Sequence, residues 1–344
     1  MNKPRQKQLM WQLPFLLLLI VGTVYVIHRQ HSMPYQQHSG EIFGTFFQIT
    51  YQADRDLSKQ IDAELKKVDE EFSMFNKQST VASINRGEKP QLSQMFINVY
   101  QLAEKVSRET DGAFDITVAP LVNAWGFGFK HQEMPSRHQV DSLRRLVGWQ
   151  HLQLQGRHLN VNVPGLMIDF SAIAKGYGVD AVCRLLKSEG VANYMVDIGG
   201  EVTTCGISPK RVPWKIGVTK PSDDSLNVNN EIVTVLNVTD CSMATSGNYR
   251  RFYEKGGKRY AHTIDPKTGY PIQRDVLSAT VIAPDCMTAD AFATAFMVLG
   301  KDSALQVMER EPDVEGYLII PSASDSTQLE VVYSAGFEQY LKKE

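Results

Sequence analysis

Asp290 and Thr294 stand four positions apart in Thr288-Ala289-Asp290-Ala291-Phe292-Ala293-Thr294, so on a helix they share one face. A carboxylate beside a hydroxyl is an oxygen donor pair, suited to magnesium or calcium rather than zinc. The alternative is an acid placed in a first helical turn for dipole reasons, with a threonine that only packs. His262 opens His262-Thr263-Ile264-Asp265-Pro266-Lys267-Thr268-Gly269, a strand end followed by a Pro/Gly turn. A loop histidine there suits a general base, or is an ordinary exposed histidine ahead of a turn that Asp265 starts. Ala244-Thr245-Ser246-Gly247-Asn248-Tyr249-Arg250 reads as a small-residue loop rich in N–H groups and hydroxyls. It suits phosphate contacts or a plain polar turn between strands.

Ile168-Asp169-Phe170-Ser171-Ala172-Ile173-Ala174-Lys175-Gly176-Tyr177-Gly178-Val179-Asp180 reads as a buried strand end running straight into a helix. Helix N-termini gather anions; an acid at that junction, Asp169, instead holds a cation or a polar ligand edge. Gly176 and Gly178 each cost about 1 kcal/mol relative to alanine in a helix interior, which predicts a close approach to that backbone. Gly199-Gly200 needs no function, since a two-glycine turn joins strands well. No phosphate-binding P-loop, dinucleotide glycine fingerprint, nucleophile elbow or paired-histidine zinc helix is present.

The elements that must position these residues follow from periodicity. Phe43 to Tyr51 alternates like a first strand. A helix from about Leu57 puts Ile61, Leu65, Val68 and Phe72 on one face, and Ser93 is the expected N-cap of another lined by Phe96, Val99, Ala103 and Val106. A short helix is expected near 140–146 and a hairpin over 151–163. Strands are expected at 194–198, 201–204, 214–218, 232–238, 278–282, 317–320 and 329–333, with late helices at 288–299 and 303–309. Interleaved helices and frequent hairpins predict an α+β fold with mixed, largely antiparallel sheets and packed helices.

The chain has 344 residues, 43% hydrophobic and 22% charged, with a net charge of −2. That is an ordinary globular composition and argues against nucleic acid as a partner. Its four cysteines show neither a C-x-x-C pair nor zinc spacing; one bridge is open to them in an oxidising compartment, but they read as small buried hydrophobes. Lys3, Arg5 and Lys7 precede an apolar run from about Leu13 to Ile27, either a signal-peptide core or a short transmembrane helix. With no small-residue cleavage site after it, and Thr23 where a lipoprotein carries its cysteine, residues 1–29 are expected to be an uncleaved signal anchor. The basic residues place the N-terminus in the cytoplasm and the rest outside. Residues 30–39 read as a polar linker and 40–344 as one domain.

In order along the chain come Phe43-Gly44-Thr45, the run from Gly112-Ala113-Phe114-Asp115 to Leu121, Trp125-Gly126-Phe127-Gly128 and the Ile168–Asp180 stretch. Asp197-Ile198-Gly199-Gly200-Glu201, Thr245-Ser246-Gly247, His262 to Gly269 and Ala289 to Thr294 follow. The series resembles the FAD:protein FMN transferases of the ApbE type from residue 40 onward. The resemblance implies a single flavin-transferase domain that binds FAD and Mg2+. It implies transfer of FMN from FAD to a threonine (or serine) hydroxyl of an acceptor protein through a phosphoester bond, releasing AMP. FAD hydrolysis to FMN and AMP, or extracytoplasmic FAD binding without turnover, are the alternatives. It makes Ala172 (through its carbonyl), Asp290 and Thr294 the metal ligands. Phe43, Phe75, Ala113, Phe114, Asp115, Asp169, Lys175 and Ile264 become FAD contacts, and His262, or else Asp169, the base. Phe43 replaces the family's usual methionine. The implied acceptor is a protein such as a membrane redox-pump subunit. The implied location is the periplasmic side of the inner membrane.

Overall fold

The computed structural model describes residues 12–24, 33–128, 134–221, 231–247, 252–255, 258–273, 275–322, 324–325 and 328–341. Residues 12–24 are helical (α1) and expose Leu13, Phe15, Leu16 and Leu17. Among the described residues no helix is long and apolar enough to cross a membrane. The rest of the expected anchor, 1–11 and 25–29, lies outside the described residues.

The strands in chain order are β1 (Tyr35–Ile42), β2 (Thr45–Gln52), β3 (Leu152–Gln155), β4 (His158–Val161), β5 (Tyr194–Ile198), β6 (Glu201–Cys205) and β7 (Lys215–Thr219). They continue as β8 (Ile232–Asn237), β9 (Cys241–Gly247), β10 (Phe252–Lys255), β11 (Lys258–Ala261), β12 (Ser278–Ala283), β13 (Glu315–Pro321) and β14 (Leu329–Tyr333). The further helices are α2 (Ser58–Phe72), α3 (Thr80–Asn85), α4 (Gln94–Glu109), α5 (Ala119–Ala124), α6 (Arg137–Arg144), α7 (Ala174–Ser188), α8 (Cys286–Leu299) and α9 (Lys301–Arg310). Eight strands form one sheet in the order β1-β2-β5-β6-β9-β12-β13-β14, and three two-stranded ribbons complete the α+β fold. Every pairing between these named strands is antiparallel.

Period-two alternation decides which face each strand buries. Phe47, Ile49 and Tyr51 of β2 and Tyr194, Val196 and Ile198 of β5 pack with Ile61 and Leu65 of α2 and Val179 and Val182 of α7. β12 is buried throughout. Its Ala279 and Val281 join the cluster that holds α8, and its Ile282 joins the opposite cluster with Val202, Met243 and Phe337. Helix α8 therefore packs on one face of a sheet that is covered on both.

The α2 stripe (Ile61, Leu65, Val68, Phe72) and the Ser93 cap are found as expected, Ser93 Oγ accepting the Phe96 N–H at 3.0 Å. Three local readings change. The first strand is a hairpin turning at Phe43-Gly44, both at positive φ, and β1 takes up residues 35–39 of the expected linker. Its alternation is polar (Gln37, Ser39 and Glu41 exposed), which makes an edge strand look like a spacer. Ala244 to Gly247 are not a loop: they lie in β9, with Thr245 opposite Thr280 and Ser246 opposite Ala279 of β12. Asn248 to Arg250 lie outside the described residues. Ile168 to Phe170 belong to no strand. The Asn85 amide stands in for a sheet neighbour there, donating to the Ile168 carbonyl at 2.9 Å and accepting its N–H at 2.8 Å.

Candidate active site

Everything at the site depends on how closely α7 and α8 approach. A Cβ added at Gly176 would lie 2.3 Å from the Cys286 carbonyl oxygen and 2.7 Å from Met287 Cα, so only glycine permits this crossing. A Cβ at Gly178 would meet the Phe43 ring at 2.7 Å. The close approach predicted from these glycines is thus made by α8 and by Phe43. Asp180 of α7 ties the crossing down, accepting the Cys286 and Met287 N–H groups at 2.8 and 2.9 Å. Asp285 caps the same helix by accepting the Thr288 N–H at 2.8 Å. Burial pushes Asp180 up to about 7 against the pull of these amide bonds.

Helix α8 is apolar on nearly every side and therefore buried. Asp290, 1% exposed, lies past its first turn, so the dipole reading does not apply. A buried charge must find partners. Asp290 Oδ2 accepts the Gly176 N–H at 3.0 Å, and Lys175 Nζ lies 3.3 and 3.4 Å from its two oxygens. Lys175 Nζ also contacts Glu201 Oε1 of β6 at 3.0 Å. Burial opposes the ammonium, but Asp290 and Glu201 together outweigh it and hold Lys175 above the lysine range. Burial pushes Glu201 up, and the Lys175 ammonium pulls it back toward the charged form.

In a regular helix the Gly176 N–H would close on the Ala172 carbonyl four residues back. It donates to Asp290 instead, although Ala174 before it and Tyr177 after it make the ordinary four-back bonds, to Phe170 at 2.8 Å and Ile173 at 3.0 Å. Thr294, one turn beyond Asp290, meets Ser246 Oγ of β9 at 3.3 Å. Among the described residues no three His, Cys, Asp or Glu side chains cluster in a metal-binding arrangement. A cation at Asp290 would draw on the hydroxyl and the carbonyl.

Asp169 Oδ1 accepts the Ser171 N–H and hydroxyl at 2.8 and 2.5 Å, and its own N–H donates to Ile116 at 2.7 Å. Burial raises its pKa. That backbone bond sets Asp169 beside the Ala113-Phe114-Asp115 turn. Ala113 and Phe114 turn their side chains into the core. Asp115 uses both oxygens internally, Oδ1 for the Thr117 N–H and hydroxyl and Oδ2 for the Trp149 N–H at 2.9 Å. Burial raises Asp115 as well.

His262 follows β11, half-buried and edge-on to Phe127 at 6.4 Å. Ile264 packs with Leu121, Trp125 and Val140, and Trp125 Nε1 donates to the Gly269 carbonyl at 2.8 Å. His262 and Ile264 thus ride on the Trp125 unit, whereas Lys175 and Asp290 meet at the helix crossing, with Thr294 one turn along α8 and Ala172 two residues ahead of α7. Phe75 is an exposed ring just past α2. The sequence gives Glu201 no role beside its Gly199-Gly200 turn, and nothing local in it connects Asp180 to α8. An acid inside an otherwise buried strand was the available signal for Glu201.

The ApbE family model matches residues 43–318, which span all of these groups. The chain belongs to the ApbE family. A Vibrio cholerae serotype O1 protein named FAD:protein FMN transferase is 38% identical over 304 residues, covering 85% of this chain and 88% of the relative. The Escherichia coli K12 protein of the same name is 32% identical over 348 residues, 95% of this chain and 97% of its own. Among solved ApbE structures, the flavin transferase from Vibrio cholerae superposes with a TM-score of 0.81 at 35% identity, covering 90% of this chain and 100% of that one. The apo flavinyl transferase from Pseudomonas stutzeri gives 0.79 at 29%, covering 90% and 97%.

Proposed function

We propose that this ApbE-family chain is an FAD:protein FMN transferase that uses magnesium. The observation that carries the reading is the buried Asp290 carboxylate, held against the Gly176 amide and Lys175 inside a chain related over nearly its whole length to a protein of that name. In the reaction, the hydroxyl oxygen of an acceptor threonine (or serine) attacks the phosphorus on the FMN side of the FAD pyrophosphate. The new ester P–O bond forms as the bridging P–O bond breaks, and AMP leaves with the bridging oxygen.

The donor set fits Mg2+, which prefers hard oxygens. Asp290, Thr294 and the Ala172 carbonyl would hold it. When bound, the ion neutralises pyrophosphate charge and acts as a Lewis acid. Lys175 supplies a fixed positive charge for a phosphate oxygen. Phe43, Phe75, Ile264 and the 113–115 turn line the FAD side, Ala113 and Phe114 through their backbone. His262 takes the hydroxyl proton, because a threonine is a poor nucleophile until a base removes it. Asp169 is the other candidate, with one oxygen fixed by Ser171.

We further propose that residues 1–29 anchor the chain in the cytoplasmic membrane with the domain on the periplasmic side. The basic residues before the apolar run and the exposed apolar side chains of α1 support this. The acceptor is then an extracytoplasmic protein, such as a membrane redox-pump subunit.

The test is incubation of the full chain with FAD, Mg2+ and a cognate acceptor protein, followed by mass spectrometry. A mass gain of one FMN on a threonine or serine with equimolar AMP is expected. Free FMN without acceptor gain identifies a pyrophosphatase, and intact FAD identifies a binding protein without turnover.

A further inference from the structure

Lys175 is the second residue of α7. Helix N-termini are positive, so its ammonium is opposed by its own helix, and two buried carboxylates offset that. The two are not equivalent. Asp290 also accepts the Gly176 N–H and shares a helix face with Thr294. Glu201, 3% exposed, gives Oε1 to Lys175 at 3.0 Å, while its Oε2 is sealed from solvent with no hydrogen-bond partner among the described residues. A buried acceptor left unpaired is costly and marks a place where a donor belongs.

We propose that Glu201 is a positioning residue of the cation site: it is the seat to which the Lys175 ammonium withdraws when a divalent cation occupies Asp290. The inference rests on the magnesium reading above. Two cations in contact with one carboxylate repel strongly at low dielectric, so Lys175 must leave Asp290 as the ion arrives. The lysine stem is flexible and its ammonium carries three donors. Glu201 offers one oxygen already in contact and a second unsatisfied. Seated there, Lys175 stays charged and stays in the site, available to an anionic phosphate oxygen. Without the divalent ion the same lysine serves as a stand-in cation that keeps Asp290 neutralised.

The competing explanation is that Glu201 only adds negative charge that attracts the ion directly. A double-mutant cycle separates the two, with Mg2+ alone titrated calorimetrically into the full chain in detergent. Wild type is compared with Glu201→Gln, Lys175→Met and the double variant. Glu201→Gln should weaken Mg2+ binding on the order of tenfold, because Lys175 is left with Asp290 alone, and in the Lys175→Met background the same change should cost no more than about twofold. Lys175→Met alone should tighten binding. An equal or larger Glu201→Gln loss in the Lys175→Met background overturns the proposal. Folded wild type that binds no Mg2+ overturns the magnesium reading itself, a separable failure. If Glu201→Gln does not fold, Glu201→Asp, which keeps the charge but shortens the reach, should give an intermediate loss that again vanishes without Lys175; persistence of the loss rejects the proposal.

Discussion

The Gly176 amide and the Asp290 carboxylate meet at 3.0 Å across two helices, in a gap that admits no side chain. This contact turns the Gly176 amide of α7 away from ordinary helical bonding and fixes the acid of α8 against it. The magnesium reading, the role of Lys175 and the inference about Glu201 all depend on it.

Gly176→Ala tests the gap. In an exposed helix interior the change would gain about 1 kcal/mol. Here the added methyl meets Cys286 backbone at 2.3 Å, and backbone cannot step aside as a flexible side chain can. The sign should therefore reverse, with a net loss of about 1–3 kcal/mol in chemical denaturation and reduced FMN transfer.

Asp290→Ala should lower metal-dependent FAD cleavage by at least about a hundredfold, the scale on which a group stabilising charge in a transition state acts. The substitution also leaves Lys175 with Glu201 as its one carboxylate contact among the described residues. Transfer rates over a Mg2+ titration are the measurement, and undiminished turnover would remove Asp290 from the site.

Asp180 should make stability fall with rising pH. Its carboxyl sits at about 7 in the fold against an ordinary 3.8. Between those values the unfolded chain has released the proton and the folded one retains it. The contribution is fully present below the lower value and is lost as pH climbs through the upper one. One proton sets a slope of at most about 1.4 kcal/mol per pH unit. Denaturation midpoints from pH 4 to 7 should decline more steeply in wild type than in Asp180→Asn; parallel profiles would show that Asp180 does not titrate there.

Removal of residues 1–30 should release the protein from the membrane fraction, since β1 begins only at Tyr35. Fractionation of both forms checks this, and a truncated chain that still sediments with membranes would move the anchor elsewhere.

Much of the fold was legible because its signals are local. The stripe Ile61, Leu65, Val68 and Phe72 needs only the helical period, the Ser93 cap only the next three residues, and β14 only a β-branched run with turns beside it. The elements misread were those whose identity comes from a partner. β1 is polar and is a strand because β2 pairs with it, and β9 is made of small residues that read as a loop until β12 lies alongside. Ile168 looked like a strand because it is apolar and buried, yet its neighbour is the amide of Asn85.

The candidate site divides in the same way. From the sequence by itself came the shared helix face of Asp290 and Thr294, the acid and lysine around the start of α7, and the loop of His262, because spacing on one helix or turn settles which side chains are neighbours. Tertiary structure alone decided that Gly176 exists to admit α8, that Asp180 caps that helix from across the gap, and that Glu201 and Lys175 form one charged unit with Asp290. These pairs are far apart in sequence. What joins them is burial: a charge removed from water must be met by whatever the packing brings within reach, and packing is a property of the whole chain.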